Sequence, residues 1–143
     1  MANLPDSLRV VLVAATAGPQ AQAILELEQV LIDHGKVQLV RFETTEAFLE
    51  FMQVLIDLPP HFALIETGNE DEGLVCLEQL RNLGTGRTLP AVILAGDWNA
   101  QMLERANRHQ AASCLRIPSD PATRHEVFTA LATYWCSVNE PAN

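Results

Sequence analysis

Basic residues are scarce in this sequence. Its 143 residues include 9 Lys and Arg against 18 Asp and Glu, which gives a formal net charge of −9 and a sequence pI of about 4.7. A protein that binds nucleic acid needs a basic surface to neutralise the phosphates. The composition therefore argues against nucleic acid as a direct partner.

Cysteines and long apolar runs are scarce as well. Cys76, Cys114 and Cys136 are odd in number and include no C-x-x-C pair, so they predict buried reduced thiols rather than a disulfide framework or a zinc site. The sequence contains no run of about 18 apolar residues, so we predict no membrane-spanning helix. The amino terminus has no basic segment followed by an apolar one, so no signal peptide is predicted and we expect a cytoplasmic location.

Apolar residues make up 48% of the chain, enough for a substantial core in one domain of ordinary size. We interpret residues 1–143 as a single domain, with its core over about 8–137 and a frayed tail over 138–143. Strand-like and helix-like segments alternate five times, which predicts a parallel sheet with helices on both faces. The predicted strands are 9–14, 37–42, 62–65, 91–95 and 113–117; the predicted helices are 19–34, 44–58, 74–84, 98–108 and 120–136.

The third predicted strand is the most informative segment for function. Phe62-Ala63-Leu64-Ile65 is a continuous apolar run that leads directly into Glu66. Such a run is typical of a strand buried on both faces. In open α/β sheets, sites are built at the carboxyl ends of the strands, so Glu66 is the first candidate site residue.

Three segments carry a resemblance to a known family. Residues 60–66, 89–95 and 114–120 are similar to the third strand, the fourth strand and the fifth strand with its following turn in receiver domains of bacterial two-component response regulators (CheY-like). The resemblance covers roughly Leu8 to Pro141. It implies a flavodoxin-like (βα)5 three-layer sandwich with a five-stranded parallel sheet of order 2-1-3-4-5. The ending, 131–135 with 139–141, is similar to small stand-alone receivers that partner bacterial phytochrome kinases.

The resemblance also implies where a phosphorylation site would lie, and the residues there have changed. Receivers transfer a phosphoryl group to an aspartate with the help of Mg²⁺, a hydroxyl and a lysine. The residues aligned with these groups, given next, lack the corresponding side chains. The resemblance therefore implies a degenerate pseudo-receiver that is not an enzyme, has no cofactor and binds Mg²⁺ weakly or not at all. By alignment, the acceptor is Glu66, the metal-binding acid pair is Ala14 and Ala15, the hydroxyl is Ala95, the lysine is Ile117 before a retained Pro118, and the aromatic switch residue is Cys114.

Several of these residues allow two interpretations. Glu66 could imitate a phosphorylated aspartate or be an inert carboxylate, and burial without a lysine partner would raise its pKa. Glu70-Asp71-Glu72 could hold a divalent cation, although a solvated acidic loop is favoured. Asp97 is predicted to cap the fourth helix. Strand alternation predicts that Arg116 points away from the site.

The leading functional hypothesis is a non-phosphorylatable receiver-like signalling domain that acts through contacts with a sensor kinase or a downstream signalling protein. A homodimer is expected through the fourth helix, fifth strand and fifth helix, with Trp98, Tyr134 and Trp135 as interface candidates. One alternative is a working receiver with a relocated acceptor, Asp71 or Asp97. Another is a flavodoxin-like binder of a small ligand or flavin, which Pro19 in the first loop disfavours because it removes an amide donor.

Overall fold

The structure is a computed structural model, and it describes residues 7–55, 58–68 and 71–138. The predicted alternation of five strands and five helices is confirmed. Two-residue segments after the second helix and before the third, and both chain ends, lie outside the described residues, so the prediction of a frayed tail is not tested. The elements are β1 (Leu8–Val13), α1 (Ala21–Asp33), β2 (Val37–Phe42), α2 (Thr45–Gln53), β3 (Phe62–Glu66), α3 (Glu72–Leu80), β4 (Ala91–Ala95), α4 (Ala100–Arg108), β5 (Ser113–Arg116) and α5 (Pro121–Thr133), which a π-helical turn extends over Tyr134–Val138.

The five strands form one parallel sheet in the order β2-β1-β3-β4-β5. Val10 of β1 lies opposite Leu39 of β2 and Phe62 of β3. On the other side, Ile93 of β4 lies between Ile65 and Cys114. This topology confirms the flavodoxin-like (βα)5 fold with strand order 2-1-3-4-5.

Two hydrophobic cores cover the two faces of the sheet. On one face, Leu12, Leu64 and Leu94 pack with residues of α1 and α5. On the other, Ile65 and Ile93 pack with residues of α2, α3 and α4. Because β3 and β4 are covered on both faces, their sequences are continuous apolar runs.

Helix ends differ from the predicted bounds where capping chemistry decides them. The side chain of Asn99 accepts a hydrogen bond from the Met102 amide at 2.9 Å, so α4 begins at Ala100. The prediction that Asp97 caps this helix is therefore wrong. Asp120 caps α5, because its carboxylate accepts from the Thr123 amide at 2.9 Å, with a proline at the next position.

The cysteines are free, as predicted. Cys76 and Cys136 are buried, whereas Cys114 is only partly buried. Burial raises the pKa of Cys76 to about 12 and that of Cys136 to about 11, so both are protonated thiols near neutral pH. Across the described ranges, no helix combines the length and apolar character needed to cross a membrane.

Candidate functional site

The carboxyl ends of β1, β3 and β4 open into a cleft of about 390 Å³. This is the edge of the sheet at which the sequence placed the site. Its walls come from the loops that follow β1, β2, β3 and β4, together with the starts of α2, α3 and α4. The residues lining it are Val13, Ala14, Ala15, Ala17, Gly18, Pro19, Gln20, Glu43, Thr45, Glu66, Thr67, Gly68, Asp71, Glu72, Gly96, Asp97 and Met102.

Glu66 is the last residue of β3 and lies half-buried in the cleft. Phe62 and Leu64 belong to the core under α1 and α5, so strand alternation places Glu66 on that same face. Burial raises the pKa of the Glu66 carboxyl above its ordinary value, and the nearby negative charge of Glu72 adds to the rise. The positive charge of Arg41 opposes both effects. The predicted direction of this pKa change is confirmed.

Ala14 and Ala15 lie at the end of β1, where the resemblance implies an acid pair. Their side chains offer no oxygen, and their main-chain oxygens accept hydrogen bonds from a neighbouring arginine. The Arg41 guanidinium donates to the Ala14 carbonyl at 2.9 Å and to the Ala15 carbonyl at 3.2 Å. It also forms an ion pair with Glu28 of α1. Sequence reasoning missed Arg41, because its partners are 13 to 27 residues away along the chain.

The end of β4 offers no hydroxyl group. Ala95 is buried, and the following Gly96 lies directly under the side chain of Gln20. A methyl group at Gly96 would be 2.4 Å from the Gln20 amide nitrogen. The Gln20 side chain therefore fills the space beside Gly96, just after the end of β4, into which a larger side chain at Gly96 would project.

The lysine position is occupied by a core residue. Ile117 is buried between the sheet, α1 and α5, and Pro118 follows it. Lys36 is the only lysine in the sequence, and its carbonyl accepts from the Leu8 amide at 2.6 Å, at the opposite end of β1. Arg116 does not line the Glu66 cleft; its exposed guanidinium is 3.4 Å from Asp97. This placement agrees with the prediction, from strand alternation, that Arg116 points away from the site.

The acidic side chains around the cleft do not form a metal site. Glu66, Glu72, Glu43, Asp71 and Asp97 all line it, yet no group of three or more His, Cys, Asp or Glu in the described ranges could hold a metal ion. Mg²⁺ requires near-octahedral oxygen ligands. At the end of β1 the available oxygens are carbonyls bonded to a guanidinium, so the residues present do not fit Mg²⁺.

Asp71, one of the two alternative acceptors, precedes α3 in a left-handed conformation with φ of 59°. Its carboxylate is 3.6 Å from Arg105 of α4. Asp97, the other alternative, is exposed and paired with Arg116. Neither carboxylate has the ammonium group that would assist phosphoryl transfer. Glu70, the first residue of the acidic run, lies outside the described residues.

The switch and interface candidates cluster around β5. Cys114 packs against the core under α3 and α4, and the Trp98 indole donates to the Leu115 carbonyl at 3.0 Å. The Trp135 ring packs on Phe62 with 5.2 Å between ring centroids, whereas Tyr134 is 53% exposed. Among the aromatic candidates, Tyr134 is therefore the one that presents most of its surface to solvent.

Comparison with solved structures identifies the class to which this fold belongs. The Mn²⁺-bound response regulator Rcp1 matches with a TM-score of 0.81 and 13% identity, over 94% of this chain and 99% of that chain. The phosphorylated cyanobacterial phytochrome response regulator RcpA matches with a TM-score of 0.83 and 11% identity, over 96% and 99%. The response regulator RPA3017, from red light signalling of R. palustris, matches with a TM-score of 0.73 and 21% identity, over 95% and 99%.

The chain therefore has the fold of a response-regulator receiver domain over nearly its whole length, as do these solved structures. No protein-family model matches the sequence, and no curated protein matches it closely. At such low identities the likeness establishes the fold, and the function has to be argued from the residues of the cleft.

Proposed function

We propose that this chain is a receiver-like signalling domain of a two-component pathway that accepts no phosphoryl group and acts through protein contacts. The observation that carries the proposal is the composition of the cleft around Glu66. Five carboxylates line it, and no Lys, Arg or His is among its described lining residues. Phosphoryl transfer depends on positive charge that stabilises the transferred group, and this cleft offers the opposite sign.

The same cleft argues against dependence on a metal. Solved structures of this fold include one described as Mn²⁺-bound and one described as phosphorylated. Here Ala14 and Ala15 replace the acid pair, and their carbonyls are bonded to Arg41. A divalent ion would have to bind through isolated carboxylates and water, which is weak for Mg²⁺. We infer that the domain works without a metal or other cofactor and is not an enzyme.

Incubation with acetyl phosphate and Mg²⁺, followed by intact mass measurement, tests the proposal. We expect no stable gain of one phosphoryl group. A matched control is the variant that restores the receiver residues, Ala14→Asp, Ala15→Asp, Glu66→Asp, Ala95→Ser and Ile117→Lys, provided that it folds. A phosphoryl group on the unmodified chain would overturn the proposal, and its loss in Asp71→Asn or Asp97→Asn would identify a relocated acceptor.

The proposed partner is a sensor kinase or a downstream signalling protein. The face formed by α4, β5 and α5 is the proposed contact surface, and it also suits a homodimer. Two observations support it: Tyr134 is exposed beside the partly buried Trp135, and Leu115 and Leu131 line a groove next to both rings. Light scattering over a concentration series should show a dimer that Tyr134→Ala weakens. A monomer at high micromolar protein would count against the homodimer.

A further inference from the structure

The guanidinium of Arg41 places a positive charge at the end of β1. Arg41 of β2 extends over β1 and donates to the carbonyls of Ala14 and Ala15, with nitrogen–oxygen distances of 2.9 and 3.2 Å. Glu28 of α1 fixes the guanidinium from the other side. The Arg41 side chain is 19% exposed, so solvent screens this charge only in part.

Strand parity places this charge on the same face as Glu66. Val37 and Leu39 pack against the core under α1 and α5, so Arg41, two residues further along β2, faces the same helices. Glu66 faces that side from β3. Because β1 lies between β2 and β3, the two charged residues flank its carboxyl end. Two strand spacings amount to about 10 Å, within the range of a partly screened Coulomb interaction.

We infer that Arg41 is a built-in cation beside this cleft: its guanidinium, outside the residues that line the cleft, occupies the Ala14 and Ala15 carbonyls at the end of β1 and supplies positive charge that acts on Glu66. The inference rests on the proposed function, because it explains how the cleft keeps a carboxylate without a metal. Arg41 thus acts on Glu66 through its charge. The other charged residues that line the cleft are all acidic: Glu72 from α3, and Glu43, Asp71 and Asp97 from the loops.

The first test measures metal affinity with Mn²⁺ alone, by paramagnetic broadening of the Ala15 and Thr67 amide signals. A single charge about 10 Å from a divalent ion, at an effective dielectric constant close to that of water, changes its affinity by about fourfold at low salt. Arg41→Gln should therefore bind Mn²⁺ that much more tightly than the unmodified chain. Arg41→Lys should resemble the unmodified chain. Arg116→Gln, which removes an exposed charge at the same sheet edge, should change the affinity less than twofold.

The second test follows the Glu66 carboxyl carbon by NMR as a function of pH. Arg41→Gln should raise the pKa of Glu66 further, and Arg41→Lys should leave it close to that of the unmodified chain. If Arg41→Gln lowers the free energy of unfolding but leaves both Mn²⁺ affinity and this pKa unchanged, Arg41 only stabilises the pairing of β2 with β1. The inference would then be wrong. Neither readout involves phosphorylation, so its failure is distinguishable from failure of the proposed function.

A second variant keeps the inference testable if Arg41→Gln does not fold. Ala15 is exposed, so Ala15→Asp should be tolerated. With Arg41 present, we expect the new carboxylate to pair with the guanidinium and to leave Mn²⁺ affinity within about threefold of the unmodified chain. A gain of tenfold or more in Ala15→Asp would contradict the inference, because it would mean that the end of β1 is open to a metal ion.

Discussion

Replacing Gly73 with alanine tests how closely α3 packs on the strand that carries Glu66. A methyl group at Gly73 would lie 2.4 Å from the Glu66 carbonyl oxygen and 2.7 Å from the Thr67 Cα. These are main-chain atoms at the end of β3 and just after it, so no side chain can rotate to relieve the contact. The start of α3 would have to move outward by about 1 Å to reach an ordinary van der Waals distance.

The cost of Gly73→Ala can be estimated from what this movement breaks. Overpacking costs about 1–3 kcal/mol, and the hydrogen bond from the Gly73 amide to the Thr67 carbonyl, at 2.8 Å, contributes about 1 kcal/mol. We therefore expect the free energy of unfolding to fall by about 2–4 kcal/mol. With an m value of about 2 kcal/mol per molar, the urea midpoint falls by about 1–2 M.

The matched control is Gly84→Ala. A methyl group at Gly84, an exposed position after α3, would have no neighbour within 4 Å, so its effect should stay within about 0.5 kcal/mol. Outward movement of α3 should also admit water to Glu66 and return its raised pKa toward the ordinary value. If Gly73→Ala is as stable as Gly84→Ala, the packing of α3 on β3 described above is wrong.

Three further predictions concern single residues. Arg81 donates to four carbonyls at 2.8–2.9 Å, those of Gly86, Leu89, His109 and Gln110. Urea unfolding should show that Arg81→Met lowers the free energy of unfolding by about 2–4 kcal/mol. The control Arg87→Met, at an exposed position, should lower it by less than about 0.5 kcal/mol. Burial, with a smaller effect of Arg9, lowers the pKa of His61, whose Nδ1 accepts from the Arg9 amide at 3.0 Å. The stability that neutral His61 contributes should therefore be fully present above pH 6.5 and be lost as the pH falls below it. In urea titrations, His61→Gln should flatten this dependence of the free energy of unfolding on pH. Because the pKa of Glu66 is raised, Glu66→Gln should increase stability at pH 7, and the gain should vanish below pH 4.5; an equal gain at both pH values would contradict this.

The fold was predictable because its signals are local. The apolar runs of β3 and β4 and the helix stops beside them define the alternation, and the strand order followed from the resemblance. Helix starts were less predictable where two polar residues compete for the cap. Asp97 and Asn99 both precede α4, and in the structure it is the Asn99 side chain that reaches the Met102 amide.

The candidate site was only partly predictable. Glu66 was found from a strand end that the sequence marks clearly, and Ala14 and Ala15 were found from the resemblance to receiver domains. Arg41 was not predicted from the sequence, because a basic residue in an edge strand has no local feature that indicates its partners. Its role depends on the sheet order that brings β2 beside β1 and on Glu28 one helix away. Long-range contacts of this kind carry no sequence signature in a single chain.

The central claim is that the cleft around Glu66 is not a phosphoryl-accepting site. A titration with Mg²⁺ and beryllofluoride, a stable analogue of the phosphoryl group, tests it most directly when followed by the amide NMR signals of Thr67, Gly68 and Gly96. We predict no saturable change in these signals when both reagents are present. A saturable, Mg²⁺-dependent change at these three amides would contradict the account.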